Sequence, residues 1–202
     1  MIVLGLTGSI GMGKSTTAQF FRDAGIPVHD ADAVVHHLYE TDAVAPVGAL
    51  FPDVVDDGKI DRRRLGTYVL DTKNAENMKK LEAIIHPMVR DAEIVFRKKS
   101  EDAGAKLAIL DIPLLFETGR DQAMDGVIVV TAPEDVQKKR VLARPDMSET
   151  KFQSILARQT PDLEKRERAD FVIDTSKGLE SAKQAVAQII EKIVSGAWLP
   201  SK

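Results

Sequence analysis

The segment Gly8-Ser9-Ile10-Gly11-Met12-Gly13-Lys14-Ser15 follows the spacing G-x-x-x-x-G-K-[ST]. That spacing lets successive backbone N–H groups wrap around a chain of phosphates. An apolar run from Ile2 to Leu6 comes before it, and a helical pattern ending around Ala24-Gly25 comes after. A loop between a strand and a helix aims the unpaired N–H groups and the dipole of the helix N-terminus at anionic oxygens. Contacts to a nucleoside triphosphate are therefore expected from Gly8, Gly11, Met12, Gly13, Lys14, Ser15 and Thr16. Lys14 would reach the β- and γ-phosphates, the Ser15 hydroxyl would take a position on Mg²⁺, and Thr16 would meet the α-phosphate side.

Two other uses of such a loop would each leave their own marks in the sequence. A dinucleotide site would place its glycines as G-x-G-x-x-G with an acidic residue about 20 positions on. Asp30 and Asp32 fall in that range, but the glycines run G-x-x-G-x-G and Lys14-Ser15 has no part in that motif. A GTP switch would need N-K-x-D and D-x-x-G; the asparagines are Asn74 and Asn77 alone, and neither pattern occurs. A phosphotransferase acting on a small molecule remains, against the alternatives of a ligand-free glycine turn or a nucleotide-regulated binding module.

Such an enzyme needs a group that orients the acceptor hydroxyl and takes its proton. Asp32 follows the second apolar run, Pro27 to His29, whose C-terminal end should open on the same crevice as the loop. A carboxylate is a weak base at neutral pH, so its share is mainly alignment. Asp30 reads equally as an N-cap for the helix carrying Val34, Val35 and Leu38. Adjacent His36 and His37 point about 100° apart on a helix and do not readily share a metal. Asp111, ending the run at Leu107 to Leu110, is either a turn residue or a carboxylate that holds Mg²⁺ through water. Gln137, Arg140 and Arg144 fall at i, i+3 and i+7, one helix face that is either solvated or part of a lid neutralising the transferring phosphoryl group.

The elements that must position these residues recur along the chain. Apolar runs at Ile2 to Leu6, Pro27 to His29, Leu107 to Leu110, Val127 to Val130 and Phe171 to Ile173 alternate with helical patterns. They predict an α/β fold around a five-stranded parallel sheet. Leu179, Ala182, Val186, Ile189, Ile190 and Ile193 recur at helical spacing and should dock on that sheet, with Trp198 in a tail. From about Val34 to Ala103 the strand rhythm stops. Helical pieces there are broken by Pro46, Pro52, Asp56-Asp57-Gly58 and Pro87, and the longest puts Met78, Leu81, Ile84 and Ile85 on one face before Pro87 starts or kinks a second stretch. This insertion is expected to carry substrate contacts.

With 202 residues, 44% of them hydrophobic and 29% charged, the composition is that of a soluble globular chain able to bury a core. No cysteine is present, which removes disulfide scaffolds, thiolate metal sites and cysteine nucleophiles and fits a reducing compartment. The net charge of −3 argues against a protein built to coat nucleic acid. No apolar run approaches membrane-spanning length, and Met1-Ile2-Val3-Leu4 enters a strand without a basic leader, so a cytoplasmic protein is expected.

Taken in order, a larger set of segments resembles the dephospho-CoA kinases, which phosphorylate the ribose 3′-hydroxyl of dephospho-CoA in the last step of coenzyme A synthesis. The set is Leu6-Thr7-Gly8-Ser9-Ile10-Gly11-Met12-Gly13-Lys14-Ser15-Thr16, Asp30-Ala31-Asp32, Gly58-Lys59-Ile60-Asp61-Arg62 with Leu65, His86-Pro87, Asp111-Ile112-Pro113-Leu114-Leu115-Phe116-Glu117, Gln137 with Arg140 and Arg144, and Ala169-Asp170-Phe171-Val172-Ile173-Asp174. The resemblance covers nearly the whole chain. It implies a three-layer P-loop core (1–33, 104–133 and 170–202), a helical CoA-substrate insertion (34–103) and a lid region (134–169). It further implies ATP and Mg²⁺ as co-substrate and metal, and dephospho-CoA as acceptor. Asp32, Lys14 and Arg140 would be catalytic, with Arg144 on the nucleotide. Thr7, Asp32, Arg62, His86, Pro113 and Leu114 would be on the acceptor side. The chain departs from the family pattern at Ser9, Met12 and Thr175, the last standing where an asparagine is common, and Pro145 should end the lid helix early. The insertion and the C-terminal helix could each support self-association.

Overall fold

The computed structural model describes residues 1–69 and 75–200. In chain order the first elements are β1 (Ile2–Thr7), α1 (Lys14–Asp23), β2 (Val28–Asp30), α2 (Ala31–Leu38), α3 (Val44–Leu50), β3 (Val55–Asp56), β4 (Lys59–Ile60), α4 (Arg62–Val69) and α5 (Ala75–Asp102). There follow β5 (Leu107–Asp111), β6 (Gly126–Thr131), α6 (Glu134–Leu142), α7 (Glu149–Leu156), α8 (Asp162–Glu167), β7 (Phe171–Asp174) and α9 (Leu179–Val194). The chain divides into two compact units, Met1–His29 with Ser100–Lys202, and Asp30–Lys99.

In the first unit five strands form one sheet in the order β2-β5-β1-β6-β7. β1 pairs parallel with β5, Leu4 opposite Ile109, and parallel with β6, Leu6 opposite Ile128; β6 pairs parallel with β7. The second strand in sequence thus lies one place removed from the first, and the Ile109 N–H donates to the Pro27 carbonyl at 2.9 Å. Strands covered on both faces must be apolar throughout, and β5 and β6 are buried along their whole length. Leu4 and Leu6 join Ala18 and Phe21 of α1 and Ala182, Val186, Ile189 and Ile193 of α9 in one core. Successive strand residues alternate sides, and Gly5 lies against Leu115 and Met124 of the chain after β5.

α1 ends where the Gly25 N–H donates to the Arg22 carbonyl and the Ile26 N–H to the Phe21 carbonyl. This pair of bonds turns the chain back into β2. Leu179, at the first turn of α9, is 69% exposed and does not reach the sheet. Trp198 is not a free tail: its ring lies 5.2 Å from that of Phe171 and packs on the core.

The second unit has its own core, in which Leu38, Val47, Phe51, Val54, Ile60, Leu65, Leu81 and Ile85 are buried, with Met78 and Ile84 packed against them. Between Pro52 and Ile60 the chain forms a two-stranded antiparallel hairpin of β3 and β4 around Asp57-Gly58, where helical pieces alone were expected. Pro46 sits in the first turn of α3, where its missing N–H costs the helix nothing. Pro87 neither starts nor ends a helix; α5 runs through it as one element of 28 residues. No helix among the described residues is long and apolar enough to cross a membrane.

Candidate active site at the phosphate loop

β1 delivers the loop to the N-terminus of α1. Gly13 occupies the N-cap with φ 94°, a left-handed conformation that a side chain would strain, and no side chain caps the helix. The first helical bond runs from the Thr17 N–H to the Gly13 carbonyl, 3.1 Å, so the N–H groups of Lys14, Ser15 and Thr16 precede the ladder and remain for an anion. Ser15 and Thr16 are exposed. Gly8 is required by close approach: a Cβ there would lie 2.6 Å from the Val130 carbonyl oxygen.

The loop is braced from outside itself. The Ile10 N–H donates to Gln159 Oε1 at 3.1 Å, and the Ile10 carbonyl accepts from Gln137 Nε2 at 2.7 Å. Met12 is 2% exposed, and its Sδ accepts from the Ala132 N–H at 3.1 Å; its side chain therefore plugs the base of the loop and is closed to a ligand.

Lys14 Nζ contacts the carboxylate of Asp111, which is 2% exposed at the end of β5. Adjacent strands β1 and β5 set this pairing, since Leu6 stands opposite Asp111. One residue beyond Leu6, the Thr7 hydroxyl donates to the Pro113 carbonyl at 3.1 Å, and Leu114 beyond it is 43% exposed. Oxygen donors and a lysine thus gather at one edge of the loop.

On the other side, Arg140 donates from Nη1 to the Thr175 hydroxyl at 2.8 Å and from Nη2 to the Thr175 carbonyl at 2.9 Å. The same hydroxyl donates to the Met12 carbonyl at 2.8 Å. A cavity of about 280 Å³ opens here among Gly13, Thr16, Phe20, Arg140, Arg144 and Leu179. Gln137 and Arg140 both lie on α6, but Arg144 does not: the helix ends at Leu142 and Ala143 is its cap. Pro145 disfavours helical geometry at the residue before it, so the expected i, i+7 stripe is broken while Arg144 still borders the cavity.

A family model for dephospho-CoA kinase matches residues 2–181. The chain belongs to the dephospho-CoA kinase family. It is 56% identical over 193 residues to a dephospho-CoA kinase from Mesorhizobium japonicum, covering 96% of this chain and 97% of that one. A crystal structure of a Thermus thermophilus protein superposes with a TM-score of 0.81 at 35% identity, covering 95% and 97% of the two chains. The dephospho-CoA kinase from Campylobacter jejuni gives a TM-score of 0.72 at 29% identity, covering 97% and 98%.

The remaining residues singled out by family resemblance lie in the second unit. Asp32 is exposed in the first turn of α2, and Asp30 is the N-cap of that helix, accepting from the Ala33 N–H at 3.0 Å. Arg62 opens α4, next to Asp61, whose Oδ1 accepts from the N–H groups of Arg63 and Arg64. Those backbone bonds, with the neighbouring arginine charges, hold the Asp61 carboxyl below its ordinary value against a smaller opposing effect of burial. Burial raises the Tyr39 phenol, and the Arg62 charge partly offsets it. His86 is exposed on α5.

Gln159 and Thr175 are structural parts of the site that motif spacing did not single out. Gln159 follows α7 with no periodic pattern around it, and its partner Ile10 is 149 residues away. Thr175 stood out only as a departure from asparagine; its hydroxyl joins α6 to the loop.

Proposed function

We propose that the chain transfers the γ-phosphoryl group of ATP to the ribose 3′-hydroxyl of dephospho-CoA, giving coenzyme A and ADP. Family membership across residues 2–181, together with a correctly shaped phosphate loop, carries this reading. The loop N–H groups of Gly11 to Thr16 bind the triphosphate. Lys14 exchanges the Asp111 carboxylate for β- and γ-phosphate oxygens when the nucleotide enters. Arg140 and Arg144 neutralise nucleotide charge. The 134–169 region acts as a lid that excludes water able to hydrolyse ATP.

The acceptor oxygen attacks the γ-phosphorus as the bond to the β,γ-bridging oxygen breaks, so the electron pair leaves with ADP. Asp32 aligns the 3′-hydroxyl and receives its proton. Little covalent work falls to the protein, and rate comes from positioning and charge neutralisation. Thr7, Arg62, His86, Pro113 and Leu114 complete the acceptor contacts.

Mg²⁺ fits the donor set. The exposed Ser15 hydroxyl and the Asp111 carboxylate are hard oxygens of the kind this ion takes alongside phosphates and water. Ser15 would hold it directly and Asp111 through water, and the ion supplies neutralisation of the β,γ-oxygens. The replacement Asp32→Asn tests the catalytic assignment: ATP binding should persist while turnover falls by about a hundredfold or more. Turnover near that of the wild type would remove Asp32 from its role.

A further inference from the structure

Lys165 is buried completely, yet it carries a charge that the reaction described above does not use. It lies on α8, in a run of alternating charges that would ordinarily face water. Its Nζ is 2.9 Å from Oε1 of Glu117, whose side chain is 14% exposed. Among the described residues Glu117 is the anion beside Nζ, so it is the charge partner of Lys165. A buried ammonium with a single anion is a costly arrangement, and an apolar pair would serve packing as well.

What the pair joins suggests why it is there. Glu117 ends the Ile112–Glu117 segment that carries Pro113 and Leu114, a turn closed by the Thr118 hydroxyl on the Leu114 carbonyl at 2.7 Å and the Arg120 N–H on the Leu115 carbonyl at 3.0 Å. Glu117 Oε1 also accepts from the Thr160 N–H at 2.8 Å. Thr160 directly follows Gln159, which holds the Ile10 N–H of the phosphate loop. The short stretch from Gln159 to Lys165 therefore grips the phosphate loop at one end and the Pro113-Leu114 turn at the other.

We propose that Lys165 is a positioning residue which, through Glu117, sets the Pro113-Leu114 turn relative to the phosphate loop and so tunes the acceptor side of the site. This rests on the dephospho-CoA kinase reading. Displacement of a positioning group by about an ångström is enough to change catalysis strongly, and the effect belongs to the acceptor, because the loop itself keeps Gln137 and Gln159.

The test compares wild type, K165M, K165M/E117M and K165M/E117Q by thermal melting and by the KM values for ATP and dephospho-CoA. K165M leaves Glu117 without its cation and is expected to melt lower. The double variants remove the unpaired charge and should recover the melting temperature. K165M/E117M, which also loses the acceptor for the Thr160 N–H, should raise the KM for dephospho-CoA about tenfold with the KM for ATP within about twofold. K165M/E117Q keeps an acceptor for that N–H and should lie between this variant and wild type. Double variants that regain stability and keep both KM values would reduce the pair to a structural role and overturn the proposal. Wild type without acceptor-dependent ADP release would instead overturn the kinase reading, and the proposal with it.

Discussion

The guanidinium of Arg140 donates two hydrogen bonds to Thr175, of 2.8 Å to the hydroxyl and 2.9 Å to the carbonyl. Because the same hydroxyl donates to the Met12 carbonyl, Arg140 on α6 and the phosphate loop are coupled through that oxygen, beside the direct bond from Gln137 to Ile10. Thr175→Ala should raise the KM for ATP about five- to tenfold, leave that for dephospho-CoA unchanged, and lower stability by about 1–3 kcal/mol from the loss of buried bonds. Thr175→Ser, which keeps the hydroxyl, should restore both. Steady-state kinetics of the two variants with each substrate varied decides the matter.

Gly8 faces backbone, not a movable side chain. A methyl group there would meet the Val130 carbonyl oxygen at 2.6 Å, forcing β1 away from β6 or the loop out of shape. Gly8→Ala should weaken ATP binding by more than about tenfold and destabilise the fold by about 1–3 kcal/mol. Calorimetric titration with ATP and a urea melt measure the two effects separately.

The Glu117 carboxyl gives the protein an acid-sensitive contact. Burial alone would raise it, but the Lys165 ammonium and the backbone N–H groups of Glu117 itself and Thr160 outweigh burial and hold it below the ordinary glutamate value. A carboxyl lowered on folding contributes stability above its unfolded value, near 4.5, and loses it as pH falls through the folded value. At neutral pH Glu117→Gln should cost roughly 3–5 kcal/mol by leaving Lys165 unpaired. The gap from wild type in urea-unfolding free energy should narrow as pH drops below about 4.5.

Trp198 closes the far end of the sheet on Phe171, its ring standing where Gly126 has no side chain. Trp198→Ala should lower stability by about 2 kcal/mol, less than for a fully buried tryptophan because the ring is half-buried. That is a fall of about 4–8 °C in Tm for a chain of this size. Turnover at a temperature well below the melt should be unchanged.

The parts legible in the sequence are those that local pattern dictates. Five apolar runs became the five sheet strands within a residue or so at each end, since strands buried on both faces leave a continuous apolar trace. The glycine, lysine and serine spacing located the loop, because each residue there answers a local requirement of backbone shape. Asp30, open between a cap and a functional role, is engaged as a cap.

Harder to read were features set by distant partners. The β3–β4 hairpin has two residues per strand, too few to show a period. Arg144 shares the spacing of Gln137 and Arg140, but Pro145 removes it from their helix. Lys165 sits in a charged run that reads as a solvated face, and only the fold brings Glu117, 48 positions earlier, to its ammonium. Trp198 reads as a tail because its docking partner Phe171 lies on another strand, which no local pattern around Trp198 announces.

Dephospho-CoA accepts the phosphoryl group. ADP release should be followed with Mg²⁺-ATP and, in turn, dephospho-CoA, AMP and a set of nucleosides, with the product identified by mass. ADP formed in step with coenzyme A, and at the bare ATPase rate with the other acceptors, is the expected result. Release of ADP at one rate whether or not dephospho-CoA is present, or faster with AMP or a nucleoside, would contradict it.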